Sequence, residues 1–240
     1  MLSIAVTASE VAGSAPPPGL HIPDGFLSTP ISIVGWVVTI LIIALATRMA
    51  NRSLNERAVP LMGVMAAFIF AAQMMNFPVA GGTSGHMLGG ALAAILLGPW
   101  AAVIVMTAVV GLQAFLFQDG GIAVLGVNVF NMGILTAFVG YGVYRAVQTV
   151  SGANRTATLV AAFAAAWISV EAAAILTSFQ LAWSDTSPLD VALPAMVGVH
   201  ALIGIGEGLI TAAALGFILS TRADLLPEHT REAATAGART

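Results

Sequence analysis

Two histidines stand where polar chemistry meets long apolar runs. His21 opens "HIPDGFLS", residues 21–28, and His86 sits in "NFPVAGGTSGHMLGG", residues 76–90. Imidazole nitrogen suits late first-row divalent ions such as cobalt and nickel, for which tetragonal nitrogen sets are common. A histidine at the second position of a polypeptide offers three linked donors: the terminal amine, its own backbone nitrogen once deprotonated, and a ring nitrogen. A second histidine from elsewhere can close the square. That arrangement requires the chain to begin at Leu20, and three readings of the preceding "MLSIAVTASEVAGSAPPPGL" stay open. Translation starts at Leu20 through a leucine-type codon read as methionine, or a leader is removed, or an extension is retained and the Leu20 nitrogen is an amide. The stretch has no basic beginning, and proline follows its small-residue pattern, which makes a poor signal-peptidase site. Cysteine is absent, so thiolate ligands and nucleophiles are excluded.

Other polar residues have different expected roles. Asp24, between Pro23 and Gly25, carries a turn signature. Asn76 and Ser84 flank His86 and are expected to orient or pack against it. Asn128 and Asn131 are spaced i,i+3 and so share a helical face, as interhelical hydrogen-bonding groups able to steady metal ligands. Glu171, His200 and Glu207 lie inside apolar runs, where an ionisable group is costly and therefore a functional candidate. His200 and Glu207 are two turns apart and point the same way. The expectation is an intramembrane polar network of these three, set apart by depth from the outer loop that carries His86.

The elements that must position these residues are transmembrane helices. Of 240 residues 58% are hydrophobic and 8% charged, and mean hydropathy is +0.96, whereas soluble domains carry about a quarter charged residues. Runs of about twenty apolar residues cross a bilayer as helices because the backbone must bond internally in hydrocarbon. Such runs cover Ile31 to Met49, Val59 to Phe77, Val124 to Val147, Thr158 to Trp183 and Val191 to Leu219. The stretch from Val79 to Phe117 is long enough for two more, divided at "LLGPW" by a proline that interrupts a helix. Arginine is the only basic side chain besides histidine. Arg48, Arg52, Arg57, Arg145, Arg155, Arg222, Arg231 and Arg239 all fall on one side if the disputed stretch crosses twice. The predicted fold is thus all-α and polytopic, about seven helices, N-terminus outside and C-terminus inside. Residues 1–19 form a leader or extension, 20–220 a single transmembrane domain and 221–240 a cytoplasmic tail that includes His229.

"HIPDGFLS", "NFPVAGGTSGHMLGG" and "GVHALIGIGEGLIT" at 198–211 together resemble the signature segments of the CbiM/NikM family. These are the substrate-capture (S) components of cobalt and nickel energy-coupling factor transporters, and the likeness runs from His21 to about residue 220. The resemblance implies a metal held by the nitrogen of Leu20, by His21 and by His86. It also implies ATP-driven import with a coupling transmembrane (T) protein, two ATP-binding subunits and a small accessory membrane protein, in a bacterial-type cytoplasmic (inner) membrane. Cobalt is the expected ion because the unfused form resembles the cobalt branch, with nickel the alternative.

Rival classes find less in the sequence. No "GxxxxGK[ST]" occurs, so ATP hydrolysis falls to partners, and no "HExxH" suggests a membrane metallohydrolase. No basic surface for nucleic acid is present. A self-sufficient secondary permease would need Glu171, His200 and Glu207 along one polar path, and no inverted repeat is evident.

Overall fold

A computed structural model describes residues 21–53, 58–75, 77–78, 84–152 and 154–225. Leu20, Asn76 and the tail from 226 onward, including His229, lie outside the described residues, as does the side chain of Ser84. The regular structure among the described residues is helical apart from a two-residue antiparallel pairing of Phe77–Pro78 with Ser84–Gly85.

Among the described residues eight α-helices follow one another: α1 Thr29–Ser53, α2 Ala58–Gln73, α3 Gly90–Leu97, α4 Pro99–Phe117, α5 Leu125–Val129, α6 Thr136–Ser151, α7 Arg155–Trp183 and α8 Leu189–Thr221. A π-helical turn, Phe130–Leu135, joins α5 to α6, so that Leu125–Ser151 is one continuous helical rod. Among the described residues five helical stretches are long and apolar enough to cross a membrane: Thr29–Arg52, Pro99–Phe117, Leu125–Ser151, Arg155–Trp183 and Leu189–Thr221. Helix α2 has 16 residues.

Two boundaries depart from the sequence expectation. Helix α2 stops at Gln73 instead of continuing to Phe77, and Val79 to Phe117 does not make two full helices. Its first part is α3, only 8 residues and therefore about 12 Å long at 1.5 Å per residue. Residues 86–89 reach α3 without helical structure. The Gly98–Pro99 junction then divides α3 from α4, with proline in the first turn of α4, where its missing N–H is not needed. Irregular backbone of this kind is tolerated at membrane depth only where protein covers it. Here it is covered: every residue from His86 to Leu96 is buried.

Small residues let the helices approach, as in membranes generally. Along the α7–α8 contact, a Cβ added at Gly204 or Gly208 would run into Trp167 or Phe163. The Trp167 indole also donates to the Ala201 carbonyl, 3.0 Å. A Cβ at Gly90 would strike Thr136, which seats α3 directly on α6.

One end of the bundle gathers its non-helical polar segments. Asp24 accepts hydrogen bonds from the backbone of Ile122, Ala123 and Val124 at 3.1, 2.9 and 3.3 Å, capping the start of α5 from a distant part of the chain. The Thr186 hydroxyl donates to the Phe26 carbonyl. Arginines cluster at the other helix ends, Arg52 in the last turn of α1 and Arg155 within 3.5 Å of the Gly216 carbonyl near the end of α8.

Candidate metal-binding site

At the polar end, the chain entering α1 is docked onto the loop between α4 and α5. The Asn128 side chain behaves as a strand partner for Ile22, accepting from its N–H at 3.1 Å and donating to its carbonyl at 3.0 Å. Gly121 N–H donates to the same carbonyl at 2.9 Å. Gly120 adopts a left-handed φ of +93°, and a Cβ there would lie 2.8 Å from the His21 Cβ. Glycine is thus required both for the turn and for the close approach.

His21 faces Asp119 with two atoms. Its backbone N–H donates to Asp119 Oδ1 at 3.3 Å and its Nδ1 lies 3.2 Å from the Asp119 carbonyl. A carbonyl only accepts, so the ring hydrogen is on Nδ1. Nε2 is buried without a hydrogen-bond partner. Burial pushes this imidazole down to about 4, the neighbouring His86 acts in the same direction, and the charge and carbonyl of Asp119 oppose them. The ring is therefore neutral at physiological pH, the form that binds metal.

His86 enters from the other side, on the non-helical stretch ahead of α3. Three side-chain bonds fix that stretch. Glu207 on α8 accepts from the backbone N–H of Leu88 and Gly89 at 2.5 and 2.7 Å, and Gln73 at the end of α2 donates to the Leu88 carbonyl at 2.6 Å. Gly89 turns the chain with φ of +83°. The His86 ring places Nδ1 2.8 Å from the Met87 carbonyl, again assigning the hydrogen to Nδ1.

The two rings meet. Their centroids are 5.3 Å apart at 55°, and the residues are only 4% and 7% exposed. Two imidazoles sharing one ion through nitrogen bonds of about 2 Å would hold their centroids roughly 4.5 to 6.5 Å apart, so the separation has room for one ion. Both line a cavity of about 360 Å³ with Asn128, Asn131, Thr177 and His200.

The remaining expected residues behave differently from one another. Asn128 and Asn131 both line the cavity but serve separate neighbours. Asn131 pairs with Gln180 through bonds of 2.6 and 3.0 Å and donates to Thr177 at 3.1 Å. A π turn begins at Phe130, between the two asparagines; such turns often accompany functional sites. Glu171, His200 and Glu207 do not form the expected network. Glu207 is committed to Leu88 and Gly89, His200 Nδ1 lies 2.7 Å from the Met196 carbonyl, and Glu171 is buried with both carboxyl oxygens unpartnered. Depth does not separate His200 and Glu207 from the His86 segment either, because that segment descends into the bundle to meet them.

Sequence reasoning overlooked Asp119, Gly120, Gln73, Thr177 and Gln180. A signal existed for some: "QDGG" at 118–121 is a turn between apolar runs, and Gln73 and Gln180 are polar interruptions of such runs.

A family model described as "CbiM: Cobalt uptake substrate-specific transmembrane region" matches residues 21–225. A relative in Archaeoglobus fulgidus, provisionally named a fused nickel transport protein NikMN, is 43% identical over 87% of this chain and 68% of its own. The cobalt transport protein CbiM of Sorangium cellulosum is 32% identical over 86% of this chain and 94% of its own. A crystal structure of a truncated transition metal transporter superposes with a TM-score of 0.75 at 34% identity, covering 83% of this chain and 98% of the other.

Proposed function

Since this chain belongs to the CbiM family of substrate-specific transmembrane components, we propose that it captures a divalent cobalt ion on the extracytoplasmic face of a cytoplasmic membrane. The ion is then imported at the expense of ATP hydrolysed by partners: a coupling transmembrane protein, two ATP-binding subunits and a small accessory membrane protein. The chain crosses the membrane seven times, N-terminus outside. In support, the disposition of arginines at the ends remote from the histidines follows the positive-inside tendency.

The observation that carries this reading is the meeting of His21 and His86 from distant parts of the sequence, buried, with centroids 5.3 Å apart. The proposed ligands are the nitrogen of Leu20, the backbone and ring nitrogens of His21, and His86. Within that chelate only Nδ1 of His21 closes a small ring with the amide of the same residue. Both of those nitrogens lie against Asp119, so an ion bound there displaces Asp119. If residue 20 carries an amide, the partnerless Nε2 is the donor left to His21.

Two features bear on the alternatives. A nickel ion fits the same donors, and the nickel name of the Archaeoglobus relative favours that second reading. A self-sufficient permease draws no support from Glu171, His200 and Glu207, which share no hydrogen bond among the described residues.

The test is N-terminal sequencing of the protein purified from its native membrane, together with metal analysis and uptake assays. A chain that begins at Leu20 and carries one cobalt or nickel supports the full chelate. A chain that retains Pro16–Gly19 and binds equally well removes the amine from it. Undiminished uptake by His86→Ala would overturn the capture site.

A further inference from the structure

A third imidazole lines the same cavity. His200, on α8, contributes to its wall beside Met196 and Val199. Its Nδ1 is 2.7 Å from the Met196 carbonyl one turn earlier, which assigns the ring hydrogen to Nδ1 and leaves the lone pair on Nε2, at the far edge of the ring. His21 and His86 follow the same pattern, Nδ1 against a main-chain carbonyl. A hydrogen bond of this type fixes tautomer and orientation in metal-ligating histidines.

His200 nevertheless stands apart from the other two. Among the described residues no group of three His, Cys, Asp or Glu side chains is close enough to hold one ion. It is therefore not a further ligand to an ion held between His21 and His86. The volume of the cavity points the same way. About 360 Å³ is on the order of ten waters at roughly 30 Å³ each, far more than a bare cation occupies. Stripping a dication of all its water at once in a low-dielectric enclosure is prohibitive, whereas exchanging waters for nitrogen donors in stages keeps the charge solvated throughout. Alanines 173 and 174 in the cavity wall offer no donor side chain, and Asn131 and Thr177 are engaged with each other.

We propose that His200 is a staging ligand: a separate one-imidazole site for the same late first-row divalent cation, holding it partly hydrated before it reaches, and after it leaves, the place between His21 and His86. This rests on the reading of His21 and His86 as metal ligands. The ion binds Nε2 by replacing one of its waters; no proton is released, because that nitrogen carries none.

The experiment uses the full chain in lipid nanodiscs and follows tryptophan quenching by Co²⁺ in stopped flow, for wild type, His86→Ala, His200→Ala and His200→Gln. Staging predicts that association and dissociation both slow severalfold in the two His200 variants and that the two rates fall together. Glutamine keeps the size of the side chain and an N–H for the Met196 carbonyl, so it carries the test if the alanine variant fails to fold. Unchanged rates in His200→Gln overturn staging alone. Faster dissociation with unchanged association also overturns it, by making His200 a support of the main site. If wild type does not bind Co²⁺, or His86→Ala binds as wild type does, the two-histidine reading fails and staging fails with it.

Discussion

The segment that begins at His21 and the one that runs from His86 to Gly89 are both non-helical, and both take side chains as partners where a strand would take a neighbouring strand. Their surroundings differ. Asn128, Asp119 and Asp24 hold the first at the polar end of the bundle, where the Asp24 bonds are open to solvent. Gln73 and Glu207 hold the second, and they are 0% and 1% exposed. Water can replace a broken Asp24 bond, so each of those is worth about 1 kcal/mol net, whereas Asn128 and His21 are themselves only 2% and 4% exposed. In the second segment nothing replaces a broken bond, and the stranded groups bear the full desolvation cost. The His86 segment is consequently the more firmly held floor, and the His21 segment, anchored in part through the solvent-open Asp24 bonds, is the part better able to loosen when an ion enters or leaves.

The largest expected effect comes from removing the imidazole on the fixed side. His86→Ala should abolish accumulation of radiolabelled cobalt in cells that also express the partner proteins, because among the described residues His86 is the imidazole that meets the His21 ring. Retained accumulation would place the ion elsewhere and dissolve the comparison between the two segments.

Breaking the floor without touching a proposed ligand is the next test. Glu207→Ala leaves the Leu88 and Gly89 N–H groups without their acceptor, a cost of about 3 kcal/mol at one to three per buried group. Thermal unfolding in detergent should fall sharply and metal binding with it. Glu207→Gln should rescue only part of the loss, since one amide oxygen cannot accept at both positions where the carboxylate does. A melting temperature equal to wild type would show that the segment is held by packing alone.

Asn128→Ala addresses the looser side. Losing the two bonds to Ile22 should weaken metal affinity by about 10- to 100-fold, the usual range for partners that orient a ligand, with a smaller fall in stability than Glu207→Ala. Titration calorimetry beside a thermal melt separates the two. Equal damage to stability from both substitutions would contradict the claim that the two ends differ.

How much of this was readable beforehand follows from what each residue answers to. The spans α1, α7 and α8 respond to composition over twenty residues, and their observed limits lie within a few positions of the apolar runs. The end of α2 at Gln73 and the brevity of α3 could not be read in that way, because Met74 and Met75 are as apolar as the helix before them, and residues 86–89 reach α3 without helical structure. Their backbone is satisfied by Glu207, more than a hundred residues later, and a periodicity argument has no access to that distance. The same blindness separated His200 from the histidines with which it shares a cavity. Asn128 is legible as a polar residue in an apolar run, but its partner, Ile22, lies 106 residues earlier.

The smallest effect concerns the protons of the His21 segment. Burial and His86 hold the His21 ring near 4, below the value of about 6.5 for an exposed imidazole. Above pH 6.5 the folded and unfolded chains are both neutral there, and the residue contributes nothing to the pH dependence. As pH falls from 6.5 toward 4 the unfolded or undocked segment gains a proton that the docked one refuses, so the docked form loses stability across that window, and the loss is complete below it. Because the outer segment can lift away to accept the proton while the floor stays in place, hydrogen exchange at Ile22 should accelerate between pH 6.5 and 4, after correction for intrinsic rates, whereas exchange at Leu88 and Gly89 should not. His21→Gln should flatten the response. Acceleration at Ile22 and Leu88 together would mean that the two segments move as one, and that the division between a fixed and a yielding side does not exist.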